Sequence, residues 1–240
     1  MIYMHSVVVT IPGPADGLAW AETATPVPGP GEVRLATIAA GVNRADLLQR
    51  QGHYPPPPGT SEILGLEVTG TVDAVGEGVA WPRLGDTVGA LLAGGGYAEQ
   101  VAAPAGQCLP LPPGVDAVTA AGLIEVSATV VSNFDAVHLT AGETLLVHGG
   151  AGGVGSFAIQ YAKALGCRVI ATAGRHDKLE YCRQRGADVA IDYHDEWWDA
   201  VAVATDDRGA DVILDIIGAA YLEPNVKSLA TGGRLVVIGL

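Results

Sequence analysis

The sequence predicts an α/β protein made of a small β-rich domain followed by a doubly wound parallel sheet. Up to about residue 120, short β-prone segments are separated by turns rich in Gly and Pro. Beyond about residue 140, strand patterns alternate with helix patterns, which is the order of a parallel sheet with crossover helices. A glycine-rich run lies between the first strand and the first helix of that alternation. We therefore expect two domains, over residues 1–120 and 121–240.

The composition is that of a globular, turn-rich protein. Hydrophobic residues make up 49% of the 240 residues and charged residues 16%, which argues against a disordered chain. The formal net charge of −13 repels phosphate backbones, so we expect no nucleic-acid partner. Mean hydropathy is +0.31, but no apolar run approaches the roughly 18 residues that span a bilayer, so we expect no membrane partner.

The first residues show none of the features of an export signal. Between Met1 and Gly13 there is no Lys or Arg, and the apolar run is a brief stretch of valines. We therefore expect a cytoplasmic protein. The three cysteines, Cys108, Cys167 and Cys182, form no C-x-x-C pair, which favours reduced thiols over disulfides or a clustered zinc site.

Three strands and one short helix are predicted in the β-rich part. The strands cover residues 7–11, 33–40 and 67–75, and each borders a Gly- or Pro-rich turn. The helix covers residues 45–51 and is closed by a glycine. The four prolines at 55–58 predict an extended loop.

The second part begins with a mostly apolar segment over residues 117–138 and continues with five strands and four helices. Apolar residues recur at helical spacing from Val154 to Leu165, which predicts an amphipathic helix ended by Gly166. The alternation that follows is typical of a doubly wound sheet. The predicted strands cover residues 145–148, 168–172, 189–191, 212–215 and 234–238, and the helices 154–165, 177–185, 196–205 and 222–229.

A G-x-G-x-x-G motif at Gly150, Gly152 and Gly155 joins the first of these strands to the first helix. In that context the first glycine permits a tight turn, the second lets a pyrophosphate approach the backbone, and the third lets the helix pack on the strand. The start of the helix, with Gly153 and Val154, is then expected to face the phosphates. The motif predicts a dinucleotide cofactor.

The end of the second strand predicts which dinucleotide is bound. NAD-binding folds place an acidic residue there, about 20 residues beyond the motif, for the ribose 2′-hydroxyl. This chain has Gly174, Arg175 and His176 instead, and Lys178 follows in the next helical turn. Two cationic side chains suit a 2′-phosphate, so we expect NADPH rather than NADH.

Several further segments carry a resemblance to a known family. They are the Asn-Arg-Ala-Asp run within 42–47, the His-Tyr-Pro-Pro run within 51–59, and the segments 64–67, 94–99, 149–155 and 171–174. With these, the sequence resembles the zinc-free NADPH:quinone oxidoreductases of the medium-chain dehydrogenase/reductase superfamily, the zeta-crystallin-like branch. The resemblance covers essentially the whole chain. It implies a GroES-like catalytic domain over residues 1–120 and a Rossmann NADP-binding domain over residues 121–240.

The resemblance also implies roles for single residues. Asn43 and Tyr54 match residues that line the nicotinamide end of the active site, so both are expected to be catalytic. Asn43 is expected to hold the nicotinamide or its ribose, and Tyr54 to donate a hydrogen bond to the developing oxyanion. The other residues that the resemblance assigns to the cofactor are Thr129, Gly174, Lys178, Tyr193 and Leu240.

The resemblance implies chemistry without a metal. Zinc-dependent relatives carry a cysteine at the position of Asn43 and a histidine at that of Leu66, and neither side chain here replaces those ligands. Hydride transfer without a Lewis acid suits acceptors that are already electrophilic. We therefore expect an NADPH-dependent reductase of quinones or related α,β-unsaturated carbonyl compounds. An enoyl-thioester reductase and a non-catalytic NADPH-binding protein with a structural or regulatory role are the alternatives.

The last expectation concerns the end of the sequence. A Rossmann domain has six strands, and five are predicted here. The resemblance implies that the portion normally following supplies the sixth strand, a return segment of the catalytic domain and the edge through which relatives form homodimers. We therefore expect the 240 residues to be a fragment with an incomplete second domain, and the complete protein to be a homodimer.

Overall fold

The chain divides into two compact units, Met1–Glu125 and Val126–Leu240, each with its own hydrophobic core. A computed structural model describes residues 2–239, and Leu240 lies outside the described residues. Within 2–239, no helix is both long enough and apolar enough to cross a bilayer.

The first unit is built on antiparallel β-sheet, as the turn-rich sequence predicts. Its strands are β1 (Tyr3–Val9), β2 (Leu18–Ala24), β3 (Glu32–Ala40), β4 (Glu67–Val75), β5 (Thr87–Leu91), β6 (Gln100–Pro104) and β7 (Cys108–Pro110). Two α-helices lie wholly within the described part of this unit, α1 (Arg44–Arg50) and α2 (Ala117–Ala120). A five-stranded sheet has the order β6-β3-β4-β5-β7, and β1 pairs with β2 in a hairpin.

The core of this unit follows from the alternation of side chains along its strands. Val33 and Leu35 on β3 and Val68 and Val72 on β4 are fully or almost fully buried, as two-residue periodicity requires. Strand β4 begins and ends where the sequence predicts. Strands β2, β5, β6 and β7 were not predicted, because they are short or contain Ala and Gly in place of β-branched residues.

The second unit contains a parallel sheet of five strands, which confirms the predicted alternation. Its elements follow α3 (Ile124–Ala136) and are β8 (Thr144–Val147), α4 (Gly153–Ala164), β9 (Arg168–Ala173), α5 (His176–Gln184), β10 (Val189–Asp192), α6 (Trp197–Ala204), β11 (Ala210–Asp215), α7 (Leu222–Ser228) and β12 (Leu229–Val237). The strand order is β10-β9-β8-β11-β12, and every neighbouring pair is parallel. This is the Rossmann order for the strands present.

The central strands of this sheet carry the core of the second unit. Leu145, Leu146 and Val147 on β8 are wholly buried, as expected for a strand covered on both faces. The predicted face of α4 is slightly rotated in the structure. Ile159 is fully buried, whereas Leu165 follows the helix as its C-terminal cap and is exposed.

Candidate functional site

The glycine run forms the turn between β8 and α4. Gly152 precedes α4, which begins at Gly153, and the first N–H groups of a helix have no acceptor within it. These N–H groups and the positive end of the helix dipole create a favourable position for an anion. The strand, turn and helix that the motif requires are therefore present.

Two glycines of the motif are fixed by close packing within the protein. A Cβ on Gly155 would collide with the carbonyl oxygen of Gly149, and a Cβ on Gly150 would lie 2.8 Å from the Cβ of Ala171 on β9. The role predicted for the last glycine is thereby refined, since Gly155 brings α4 against the turn itself. Gly150 is the glycine that faces the neighbouring strand.

At the start of α4, no close contact within the described residues requires glycine at Gly152 or Gly153. A Cβ on Gly152 would have its nearest neighbour at 3.4 Å, the carbonyl oxygen of Gly149, and a Cβ on Gly153 would lie 3.5 Å from Val126 Cγ1. Both are ordinary contact distances, and Gly152 has a φ of −80°, which any residue adopts. The exposed backbone here leaves room for a group from outside the chain.

Two other residues assigned to the cofactor lie near this turn. Thr129 is three residues beyond Val126 on α3, and residues three apart share a helix face, so it belongs to the face that approaches Gly153. Thr129 is half-buried. Val154 is also partly buried and packs on the core, which leaves its backbone N–H as its polar group at this end of α4.

The structure brings Gly174 and Tyr193 together. Gly174 follows β9 and Tyr193 follows the neighbouring β10, and a Cβ on Gly174 would collide with the Tyr193 ring. His194 lies at the same place, with its Cε1 atom 2.9 Å from that Cβ position. The Tyr193 ring remains 42% exposed, so one side of it is available to a ligand.

The two cations predicted to bind a 2′-phosphate differ in their surroundings. Arg175 caps α5 and is held by Asp177, with Nε 3.1 Å from Oδ1 and Nη2 2.7 Å from Oδ2. This hydrogen bonding and the guanidinium charge hold the pKa of Asp177 below its ordinary value. Lys178 is exposed, and within residues 2–239 no carboxylate is found paired with its ammonium group.

A series of hydrogen bonds between buried polar groups lies beneath the glycine turn. The N–H of Gly149 is 3.3 Å from Thr172 Oγ1, which is 3.1 Å from Nδ1 of the fully buried His148. His148 Nε2 lies 2.8 Å from Asn225 Oδ1, and Asn225 Nδ2 donates to Asp215 at 2.9 Å. Burial lowers the pKa of His148, so its imidazole is neutral.

In the first unit, Asn43 is fixed by two buried carboxylates. Its backbone N–H donates to Asp46 at 2.8 Å, and its side-chain Nδ2 donates to Glu67 at 2.8 Å. Asp46 also accepts from the Tyr97 hydroxyl at 2.9 Å and from the Gly65 N–H at 3.1 Å. Burial, followed by the charge and hydrogen bond of Asp46, raises the pKa of Tyr97, so this hydroxyl keeps its proton and donates.

Glu67 connects Asn43 to the start of α3. Its Oε1 accepts from Asn43, while its Oε2 accepts from the backbone N–H groups of Ile124 and Glu125 at 2.8 and 2.9 Å. The side chain is only 1% exposed. A buried carboxylate at a helix N-terminus compensates unpaired N–H groups and the helix dipole, so Glu67 is a structural residue.

Tyr54 lies in a cavity of the first unit that Asn43 does not line. The cavity has a volume of about 180 Å³, and its walls include Tyr54, Leu66, Leu91 and Glu125. The Tyr54 side chain is 46% exposed. Asn43 and Tyr54 are therefore linked only indirectly, because Glu67 holds both the Asn43 amide and the backbone of Glu125.

The residues at the catalytic-zinc position of related dehydrogenases do not fit a metal. Leu66 offers no donor atom, and both oxygens of Glu67 are engaged by N–H groups. Within residues 2–239, no group of three or more His, Cys, Asp or Glu side chains is arranged to hold a metal ion. The three cysteines are buried and unpaired, and burial raises the pKa of Cys108 to about 11.

Sequence reasoning missed several residues of these sites. Tyr97 and Asp46 lie inside motifs that it used, but nothing in their spacing indicated that they bond to each other. The sequence does show Asp177 two positions from Arg175, and that spacing of opposite charges is a signal for the ion pair between them. Leu240, the last residue assigned to the cofactor, lies outside the described residues.

Comparison with known proteins supports the same two-part organisation. Residues 29–113 match the alcohol dehydrogenase GroES-like domain, and residues 153–240 match the zinc-binding dehydrogenase family. The quinone oxidoreductase of Rattus norvegicus is 32% identical over 221 residues, which cover 91% of this chain and 67% of that protein.

Two solved structures share the fold. A mycobacterial protein in complex with NADPH has a TM-score of 0.87 and 36% identity, with 98% of this chain and 74% of that chain covered. The CurK enoyl reductase has a TM-score of 0.90 and 26% identity, with 99% and 75% covered. A GroES-like sheet followed by a parallel Rossmann-type sheet defines a medium-chain dehydrogenase/reductase. Within that superfamily, this chain belongs to the quinone oxidoreductase branch.

The chain spans only part of its relatives. Of the first curated relatives, the phthioceranic/hydroxyphthioceranic acid synthases of Mycobacterium bovis and Mycobacterium tuberculosis, it covers 10%. The activity, substrates and partners of the whole protein are therefore matters of proposal.

Proposed function

We propose that this chain carries an NADPH-dependent reductase activity that transfers hydride to quinones or related α,β-unsaturated carbonyl compounds, without zinc. The observation that carries the proposal is the open backbone at Gly152 and Gly153. Neither φ nor internal packing requires glycine at Gly152, whereas the close approach of a pyrophosphate to the N-terminus of α4 does.

The residues after β9 and β10 support NADPH over NADH. Lys178 and Arg175 supply positive charge beside Gly174, and the exposed side of the Tyr193 ring can pack on a ligand. No carboxylate stands at the last position of β9, where an NAD-binding fold has one for the ribose 2′-hydroxyl. The similar mycobacterial protein is itself complexed with NADPH.

When bound, NADPH supplies a hydride from C4 of its nicotinamide ring. In the proposed scheme, Tyr54 donates a hydrogen bond to the carbonyl oxygen of the acceptor, where negative charge develops. Because Tyr54 is 46% exposed, its hydroxyl can exchange protons with water. Asn43 binds the nicotinamide or its ribose, and Glu67 fixes the direction of the Asn43 amide.

The cavity beside Tyr54 supports an uncharged, planar acceptor. Its lining includes Leu66, Leu91 and two prolines of the extended loop, and these side chains favour apolar rings. Glu125 belongs to the same lining, and an acidic residue there disfavours anionic acceptors. Quinones and simple enones meet both conditions.

The cofactor proposal is tested by removing one cation. Lys178→Ala should weaken NADPH binding about 10- to 100-fold, because a hydrogen bond to a charged group contributes about 1.5–3 kcal/mol. NADH binding should change little. Lys227→Ala is the matched control, since this lysine is exposed on α7 and pairs with Glu223. An unchanged NADPH:NADH ratio in Lys178→Ala would refute the 2′-phosphate assignment.

The acceptor proposal is tested with a panel of quinones, enones and enoyl thioesters, with NADPH oxidation as the readout. The proposal is supported if the parent protein turns over quinones and the Tyr54→Phe variant does so more slowly. The likeness to the CurK enoyl reductase favours an enoyl-thioester reductase as the second candidate, and that function predicts turnover with enoyl thioesters alone. Saturable NADPH binding without turnover on any acceptor would instead support a non-catalytic, structural or regulatory role.

A cytoplasmic location and a homodimer of the complete protein are also proposed. Both rest on the family resemblance. Cell fractionation and light scattering of the complete protein test them separately from the activity.

A further inference from the structure

Two carboxylates lie near the end of β9, each against a nitrogen-bearing side chain. Arg175 pairs with Asp177, and His194, beside Gly174, pairs with Asp192, whose Oδ1 is 2.7 Å from His194 Nδ1. The cationic region that the sequence predicts is therefore offset by two carboxylates. The Asp177 carboxylate therefore lies next to any anion that binds Arg175.

The pair between Arg175 and Asp177 is the closer competitor. It is bidentate, with both nitrogens of one edge of the guanidinium bound to the two carboxylate oxygens at 3.1 and 2.7 Å. A phosphate would use this same edge, because bidentate binding is the favoured geometry for carboxylate and phosphate alike. Both side chains are 67% exposed, so the pair can separate without breaking the core.

We propose that Asp177 is a specificity-determining residue, which competes with the 2′-phosphate of NADPH for Arg175 and thereby restrains the preference for NADPH over NADH. This inference rests on the proposed function, since it assumes that a dinucleotide binds at this end of β9. Lys178, for which no paired carboxylate is found within residues 2–239, is then the main cation for the phosphate. Arg175 binds the phosphate only to the extent that its ion pair with Asp177 opens.

The charge of Asp177 gives the size of the effect. Its pKa is held below the ordinary value, so the carboxylate is ionised at neutral pH. Exposed ion pairs are weak unless their geometry is bidentate, as it is here. Removing this competition should therefore strengthen binding of a 2′-phosphate about three- to tenfold. NADH has no 2′-phosphate and should gain little.

The first experiment measures binding of 2′,5′-ADP and 5′-AMP by calorimetry, together with NADPH and NADH. We expect Asp177→Asn to strengthen 2′,5′-ADP and NADPH about three- to tenfold, with 5′-AMP and NADH changed less than twofold. Glu180→Gln is the matched control, because this residue lies on the same helix and pairs with Arg183 at 3.5 Å. It removes an equal charge and should leave the NADPH:NADH ratio unchanged.

A double-mutant cycle separates competition from a merely structural role of Asp177 at the start of α5. Arg175→Ala should weaken NADPH only slightly in the parent protein but about tenfold in the Asp177→Asn background. Circular dichroism and thermal unfolding of each variant report any loss of helix. A structural role predicts lower stability and no coupling to Arg175→Ala.

Two results would overturn the inference. If Asp177→Asn weakens 2′,5′-ADP, then Asp177 orients Arg175 for the phosphate and does not compete with it. If Arg175→Ala has the same effect in both backgrounds, the two residues are not coupled in binding. The proposed function fails in a different way, through a parent protein that binds neither NADPH nor 2′,5′-ADP.

Discussion

Removal of the buried Glu67 carboxylate is expected to loosen the start of α3. In Glu67→Ala, the N–H groups of Ile124 and Glu125 lose their acceptor, and so does the Asn43 amide. An unsatisfied buried polar group costs about 1–3 kcal/mol, and the one lost side-chain methylene costs about 0.8 kcal/mol. Allowing for partial access of water, we expect a loss of about 3–5 kcal/mol.

Glu67→Gln separates shape from charge. The amide oxygen can accept from the two backbone N–H groups, while its NH2 group faces Asn43, whose own amide can turn to present oxygen. What is lost is the negative charge at the helix N-terminus and the strength of charged over neutral hydrogen bonds. We expect Glu67→Gln to lower the free energy of unfolding by about 1–2 kcal/mol. Glu62→Gln makes the same chemical change on an exposed side chain and should cost less than about 0.5 kcal/mol.

The assay has to report on the first unit. Trp20 and Trp81 of that unit are largely exposed, whereas Trp197 of the second unit is buried, so tryptophan fluorescence follows mainly the second unit. Hydrogen exchange of the amides of Ile124 and Glu125, combined with urea unfolding followed by circular dichroism, is the suitable measurement. Unchanged protection of these amides and a loss below about 1 kcal/mol in Glu67→Ala would refute the reasoning.

Two further predictions concern the second unit. Gly155→Ala should destabilise the protein by more than about 2 kcal/mol in urea unfolding, because its Cβ collides with Gly149, whereas Gly152→Ala should keep the parent's stability and lose NADPH binding. Arg234, whose Nη1 lies 2.8 Å from Glu143 Oε1, holds the pKa of Glu143 below its ordinary value. That stability is present above the unfolded pKa and is lost as pH falls through the lower folded pKa, so Arg234→Gln should cost about 1–2 kcal/mol at pH 7 and less once pH has fallen below the folded pKa of Glu143.

Each of these has a clear contrary outcome. Equal stability of the two alanine variants would show that the close packing at Gly155 is not limiting, and normal NADPH binding by Gly152→Ala would remove the argument from its open backbone. A pH-independent effect of Arg234→Gln would assign its contribution to the backbone carbonyls of Val137 and His138, which Arg234 also binds.

The sequence predicted the order of elements in the second unit because each element there has a strong local signal. Helical spacing from Val154 onward, a glycine after the helix and short apolar strands are all visible within a window of about fifteen residues. The strand Leu18–Ala24 has no such signal, since its pairing with β1 decides its conformation. Local patterns therefore specified the parallel sheet better than the antiparallel one.

The candidate sites were predicted less completely, because their geometry depends on distant residues. Glu67 meets Asn43 across 24 positions and Ile124 across 57, and no spacing rule connects such residues. The glycine motif succeeded because its mechanism is local to one turn. At Arg175 the sequence showed a cation, but only the structure shows that Asp177 occupies its binding edge.

The buried hydrogen bonds under the glycine turn have a fixed donor-to-acceptor direction, and this direction explains the role of His148. A backbone N–H at Gly149 can only donate, and the Asp215 carboxylate, which also binds the N–H of Ile217 at 2.7 Å, can only accept. Thr172 therefore donates to Nδ1, and His148 carries its proton on Nε2 and donates it to Asn225. Protonation of Nδ1 would remove the acceptor that the Thr172 hydroxyl uses, and burial lowers the pKa of His148 in the same direction. The histidine thus ties the first peptide of the glycine turn to β9, β11 and α7 as a neutral residue, and this use of a buried histidine leaves no trace in the spacing of the sequence.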